Sequence, residues 1–237
     1  MPNTQTSVPA FTSGQVLTAA QMTEVNTGIP VFATTTTRDA AFGGTGEKTL
    51  AEGQFAYIEA SNTTQYYDGA AWQTLGGGLT LIKTQTIGSA VSTVTVTDAF
   101  NSTYNAYKII VSGGTASTTV QMRLQLGSTT TGYYFGGPFH QYDGATSGHL
   151  FGSNVASWQS GAGSTLQNSL NVELLNPNLA NYTFFSTTYG QAVTSSGSGI
   201  TLSGFLNDTT QYTAFTLFPN TGTITGGIIR VYGYQNS

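Results

Sequence analysis

A chain of 237 residues with only 7% charged side chains, a net charge of −4 and no cysteine closes off several functional classes before any motif is read. The six basic residues, Arg38, Lys48, Lys83, Lys108, Arg123 and Arg230, are scattered and cannot neutralise a run of phosphates, so no nucleic-acid partner is expected. Without cysteine there are no disulfides, zinc–thiolate centres or thiol nucleophiles, and a surface of Gly, Thr, Ser, Asn and Tyr, where about a quarter of residues are usually charged, suits one occupied by neighbouring subunits.

The opening MPNTQTSVPAF has neither a basic n-region nor an apolar h-region, and no apolar run of about 18 residues occurs. Synthesis in the cytosol, with no leader and no membrane insertion, is the expectation. Residues 1–33 read as a polar attachment arm carrying one short helix over 17–28. Thr18 is the cap with Gln21 as its N3 partner, Leu17 staples onto Met22, and Gly28 stops the helix. So short a helix is unstable alone in water and has to dock. Phe11, Leu17, Met22 and Val25 are the apolar residues expected to anchor the arm on another subunit.

Residues 34–78 read as a small β module. Strands are expected over Phe55–Ile58, Gln65–Tyr67 and Ala70–Leu75, with turns at Ser61–Thr64 and at Asp68-Gly69, a pair suited to tight hairpins. Phe55, Tyr57 and Trp72 are its expected packing nucleus. Gly76-Gly77-Gly78 follows as a hinge.

From residue 79 to 237, apolar runs recur every ten to fifteen residues between Gly, Asn and Ser clusters. They lie at 79–86, 91–97, 107–111, 119–126, 132–135, 150–158, 169–175, 182–188, 200–205, 212–217 and 226–234. In Val91–Val96 and Val120–Leu126 the apolar residues alternate, which gives each strand one wet face. No helical crossover separates these runs, so neighbours are expected to be antiparallel. The fold class is therefore all-β, with a short N-terminal helical anchor, a small hairpin module and a C-terminal antiparallel, jelly-roll-like β-sandwich.

Ten carboxylates and two histidines leave little scope for catalysis. His140, Asp143 and His149 are close in sequence, but their spacing fits no recurrent metal site. Asp143-Gly144 reads instead as a turn in an exposed loop, and neither metal nor cofactor is expected. A nucleophile elbow, a P-loop, a dinucleotide fingerprint and an EF-hand loop are absent from the sequence. Glu173 is the best-placed strand carboxylate, yet alternation makes it a solvent-facing or paired residue, with no second carboxylate near it for glycoside cleavage. An enzyme is not expected. Loop aromatics with amide and hydroxyl neighbours can hold sugar or protein without chemistry, and Tyr134, Phe139, His140, Tyr142, Asp143 and His149 form the candidate surface-recognition loop.

Five segments resemble phage virion proteins of the tail-fibre and head-fibre type, including minor tail proteins. They are Phe11–Met22, Thr37–Phe42, Glu52–Tyr57, Tyr67–Gln73 and the ending Ile224–Tyr234. The resemblance implies a multimeric virion component, commonly a homotrimer, attached to other virion proteins through its N-terminus and carrying a distal β domain. A fibre or adhesin subunit that meets host-surface polysaccharide or protein is the leading expectation. A capsid decoration or head-fibre protein comes second, and a polysaccharide depolymerase third.

Overall fold

The computed structural model describes Val8 and residues 10–19, 28–45, 47–76, 78–192 and 197–235. Residues 1–77 and 78–237 form two compact units, and nearly all their regular structure is β. The helix expected over 17–28 falls largely outside the described residues, as do Met22 and Val25.

The first unit is built on a four-stranded sheet of β1 (Val31–Phe32), β2 (Phe55–Ile58), β3 (Thr63–Tyr67) and β4 (Trp72–Thr74), in that order. Only β1 and β2 run parallel, joined through α1 (Thr35–Asp39). The Thr34 hydroxyl caps α1 by accepting from the Thr37 N–H, and the Thr34 N–H donates to the Thr37 hydroxyl in return. Arg38 is 6% exposed and lies 4.6 Å from the Trp72 ring. Its charge is met by Asp39 at 2.6 Å, and it also donates to Gln65 Oε1. The core of this unit is Phe32, Ala41, Ala56 and Ile58, with Val8, Phe42 and Trp72 against it.

Two expectations change here. The boundary drawn at residue 33 runs through this sheet, because β1 pairs with β2 and Phe32 is fully buried among residues of the module. Val8 joins the same unit, donating to Ala41 O and accepting from the Lys48 N–H. Of the expected packing nucleus, Trp72 does pack against this core, but β2 has the opposite phase: it turns Ala56 and Ile58 inward and leaves Phe55 41% exposed.

The second unit contains β5 (Leu79–Thr86), β6 (Val94–Val96), β7 (Ala106–Ser112), β8 (Thr115–Ala116), β9 (Val120–Leu126), β10 (Tyr133–Gln141) and β11 (Ser147–Val155). It continues with β12 (Trp158–Gly163), β13 (Asn168–Leu175), β14 (Thr183–Ala192), β15 (Gly197–Leu206), β16 (Phe215–Pro219), β17 (Ile224–Thr225) and β18 (Ile228–Tyr234). Every pairing within it is antiparallel. One run of neighbours is β5-β18-β7-β13-β14-β15-β10-β11, and a second is β13-β12-β9-β16-β6. Strand β13 belongs to both. One edge pairs with β7, while the other pairs with β12 through Asn168–Leu170 and with β14 through Val172–Leu175. Where β12 and β14 diverge, the Thr187 hydroxyl lies 2.9 Å from both Ser160 O and Asn171 O, so that the two carbonyls at the fork share its one proton.

Alternation builds the core. Val120, Met122, Leu124 and Leu126 of β9 are buried, as are Val172 and Leu174 of β13 and Phe215 and Leu217 of β16. Strand β12 departs from alternation and is buried along its whole length. Trp158 at its start stacks on Phe185 at 4.8 Å and meets Tyr133 edge-on at 4.9 Å. Elsewhere along β12, Gln159 donates to the Tyr189 hydroxyl at 2.7 Å. A cavity of 170 Å³ remains where Phe139, Leu150, Tyr189 and Ile200 meet Gln159 and Ala162.

The runs expected at 132–135 and 150–158 extend and divide. Strand β10 reaches Gln141, and β11 pairs with it from Ser147 onward, so most of the expected loop is a hairpin. Glycines of this hairpin make room for rings: a Cβ on Gly148, which reads as loop punctuation, would lie 2.9 Å from Phe139, and one on Gly152, inside the expected run 150–158, 2.5 Å from Phe135.

Burial raises the Tyr189 phenol to about 12 and lifts the Tyr133 phenol further. Below pH 10 both phenols are neutral in the folded and unfolded chains, and their packing contributes in full. Above pH 10 only the unfolded chain ionises, which removes about 1.4 kcal/mol per pH unit for each tyrosine until its folded-state value is passed. Thermal unfolding followed by circular dichroism is expected to give a steady Tm up to about pH 9 and a steep fall above pH 10. Tyr189→Phe is expected to make that fall shallower.

Candidate functional site

Antiparallel partners place their side chains on a common face, so the register of the longer run defines rows across it. Leu175, Phe184, Phe205 and Tyr134 are successive partners on β13, β14, β15 and β10. Beside this apolar row runs a mostly polar one, Tyr232, Lys108, Glu173, Ser186 and Ser203, continuing to Gly136 and Phe151. The opposite faces of these strands supply Val172, Leu174, Phe185 and Leu202 to the core. Leu175 and Phe184 are 49% and 48% exposed, and Phe151 is 81% exposed.

Between the two rows lies a groove of 360 Å³ lined by Glu173, Leu175, Phe184, Ser186, Ser203 and Phe205, with the backbone of Gly204 in its floor. Gly204 has to be bare, since a Cβ there would lie 1.9 Å from Tyr134 O. Tyr134 stacks on Phe205 at 5.1 Å with their planes 7° apart, and Tyr182 approaches Phe205 to 6.0 Å.

Glu173 fixes the polar side of the groove. Its Oε1 accepts from Tyr234 OH at 2.7 Å and from Lys108 Nζ at 3.2 Å. The Tyr234 hydrogen bond, helped by Lys108, holds the carboxyl below the usual range, so Glu173 is an anion near neutral pH. Desolvation and the carboxylate raise the Tyr234 phenol in turn to about 12, which keeps it a proton donor. The arrangement is a fixed acceptor beside apolar surface. Among the described residues, no group of three or more His, Asp or Glu stands ready to hold a metal ion.

The six residues of the expected recognition loop are distributed over a hairpin. Tyr134, Phe139 and His140 lie on β10, Tyr142 and Asp143 in the turn, and His149 on β11. Phe139 lines the 170 Å³ cavity. Asp143 Oδ1 accepts from the Ala145 N–H and shapes the turn. His140 and His149 share the outward face of the hairpin, since their register partners are Ser147 and Pro138. The His140 and Tyr142 rings lie over bare backbone of β14 and β15: a Cβ on Gly199 would be 2.7 Å from His140, and one on Gly190 2.8 Å from the Tyr142 hydroxyl. With Pro138, Thr188 and Thr201 they border a shallow hollow of 510 Å³. Of the six, only Tyr134 adjoins the 360 Å³ groove, from behind Phe205. Of the expected anchor residues, Phe11 and Leu17 are 41% and 38% exposed.

Leu175, Phe184, Phe205, Ser186 and Ser203 were not singled out by sequence. Phe184 and Phe185 occupy opposite phases of β14, so alternation alone does not tell which one faces out. No described helix is long and apolar enough to cross a membrane. No family model, curated protein or solved structure matches the chain.

Tyr234→Phe is expected to raise the pKa of Glu173, because it removes the largest stabilisation of the carboxylate. A carbon-13 NMR titration of the glutamate side chains reads this directly, and an unmoved Glu173 would mean that the contact does not persist in solution.

Proposed function

We propose that the protein is a non-enzymatic phage virion structural protein, a fibre or adhesin subunit assembled as a homotrimer. It attaches to other virion proteins through its N-terminal unit and presents its β-sandwich to the host surface or to solvent. The single observation that carries this reading is the division of the chain inside Gly76-Gly77-Gly78 into a small N-terminal unit and a large β unit, each with its own core. Such a division separates attachment from presentation. The sparse charge agrees with a surface shared among subunits.

Strand order supports a jelly-roll description of the larger unit. The orders β5-β18-β7-β13 and β6-β16-β9-β12 are two interleaved four-stranded sets, the pattern of two Greek keys. On this description, β10–β11 and β14–β15 are pairs inserted into the roll, and with β13 they carry the outer face on which the groove lies.

Immunogold labelling of intact particles with antibody against residues 78–237 tests the assignment. Label at the tail is the expected result. Label spread over the head would select capsid decoration or a head fibre instead, and particles without label would overturn the virion reading. A chain starting at residue 78 is expected to keep its β circular-dichroism spectrum yet fail to enter particles.

A further inference from the structure

The 360 Å³ groove is amphipathic across its width. Leu175, Phe184 and Phe205 form one side, while Glu173, Ser186 and Ser203 form the other. Neighbouring strands are about 4.8 Å apart, so the three strands beneath it offer matched apolar and hydrogen-bonding positions over about 10 Å. Its volume lies within the range of small-molecule sites.

The polar side is prepared for an incoming hydroxyl. Both hydrogen bonds to Glu173 end on Oε1, and among the described residues Oε2 accepts none. The carboxylate is thus held by two donors while one oxygen stays available, in the row that continues through Ser186 and Ser203. Phe205 is steadied by Tyr134 stacked behind it. An aromatic ring held in place offers apolar contact at little entropic cost.

Charge narrows the class of ligand. The ionised groups of the polar row, Glu173 and Lys108, neutralise each other at 3.2 Å, and among the described residues no free cation stands in the groove lining to meet a phosphate, sulfate or uronate. A second flat sheet face laid over the groove would leave its 360 Å³ unfilled, and such a void is unfavourable in an interface. A ligand with one C–H face and one hydroxyl edge fills it.

From these observations we infer that the groove between Leu175, Phe184, Phe205 and Glu173, Ser186, Ser203 is a binding site for a neutral saccharide of two or three units. The sugar's C–H face lies on the aromatic row, and vicinal hydroxyls donate to Glu173 Oε2 while exchanging hydrogen bonds with Ser186 and Ser203. This deepens the adhesin reading and rests on it, moving recognition from the β10–β11 turn to the sheet face.

The test uses the full chain and four probes: cellobiose, maltose, lactose and chitobiose. Saturation-transfer NMR and calorimetry measure binding to the parent protein and to Phe184→Ala, Glu173→Gln and Phe151→Ala. The expected result is millimolar binding of at least one probe, weakened about tenfold or more by the first two substitutions. Phe151→Ala, on the same face but outside the groove, is expected to leave binding unchanged. Circular dichroism verifies that each variant is folded. Phe184 is half exposed, so its loss leaves the core intact, and Glu173→Gln keeps an acceptor for Tyr234 and Lys108. Binding of none of the four probes would overturn the inference, as would an equal loss in Phe151→Ala. A change of sedimentation in Phe184→Ala without saccharide binding would make the face a subunit contact and overturn it too. Each of these failures leaves the virion assignment to the labelling result, which is independent of the groove.

Discussion

The second unit depends on the fork at β13. One edge of that strand is shared by two partners that diverge, β12 leading into one run of strands and β14 into the other. Backbone groups at such a parting leave their ladder in a dry interior, where an unpaired carbonyl is costly. The Thr187 hydroxyl, buried and within 2.9 Å of Ser160 O and Asn171 O, shares its one proton between those two carbonyls. The same fork explains why β12 is buried throughout: it pairs with β9 and β13 in its own run, and β14 lies across it. Trp158 therefore finds Phe185 as a stacking partner, and Gln159 finds a phenol rather than water.

The outer face follows from the same geometry. Because β14 continues the sheet beyond β13, the outward residues of β13, β14, β15 and β10 fall into common rows. None of Leu175, Phe184 and Phe205 is unusual alone, since single exposed apolar residues are normal. Register makes them a continuous surface beside a line of hydroxyls and an anchored carboxylate. In the first unit an equally local device works inward: Arg38 is buried between Asp39 and the Trp72 ring, so a charge helps fix the position of the aromatic residue in a small core.

Much of the strand pattern is legible in the sequence because alternation and turn chemistry are local signals. The run at 79–86 and the run at 55–58 coincide with β5 and β2, and Glu173 is exposed and paired as its phase in the strand predicts. What escapes is set by distant partners. Gly137 and Gly148 look like loop residues until backbone and a ring are seen to occupy the space a Cβ would need. Likewise, Val31 and Phe32 look like the end of the 1–33 arm until β2 lies alongside them. The groove was hidden for a related reason: a row is a statement about register across four strands, and a single chain read in order carries no register.

The place of β18 has a consequence for biosynthesis. It follows every other described strand in the chain, yet it lies between β5 and β7, and among the described residues β5 has no other strand partner. While residues 228–234 are still inside the ribosome, the emerging polypeptide holds two β edges facing a gap in its longer run of strands. Open edges of this kind invite pairing with another nascent copy. Emergence of β18 is thus the moment at which this run of strands closes, and an assembly that gathers several copies has to wait for it or begin from it.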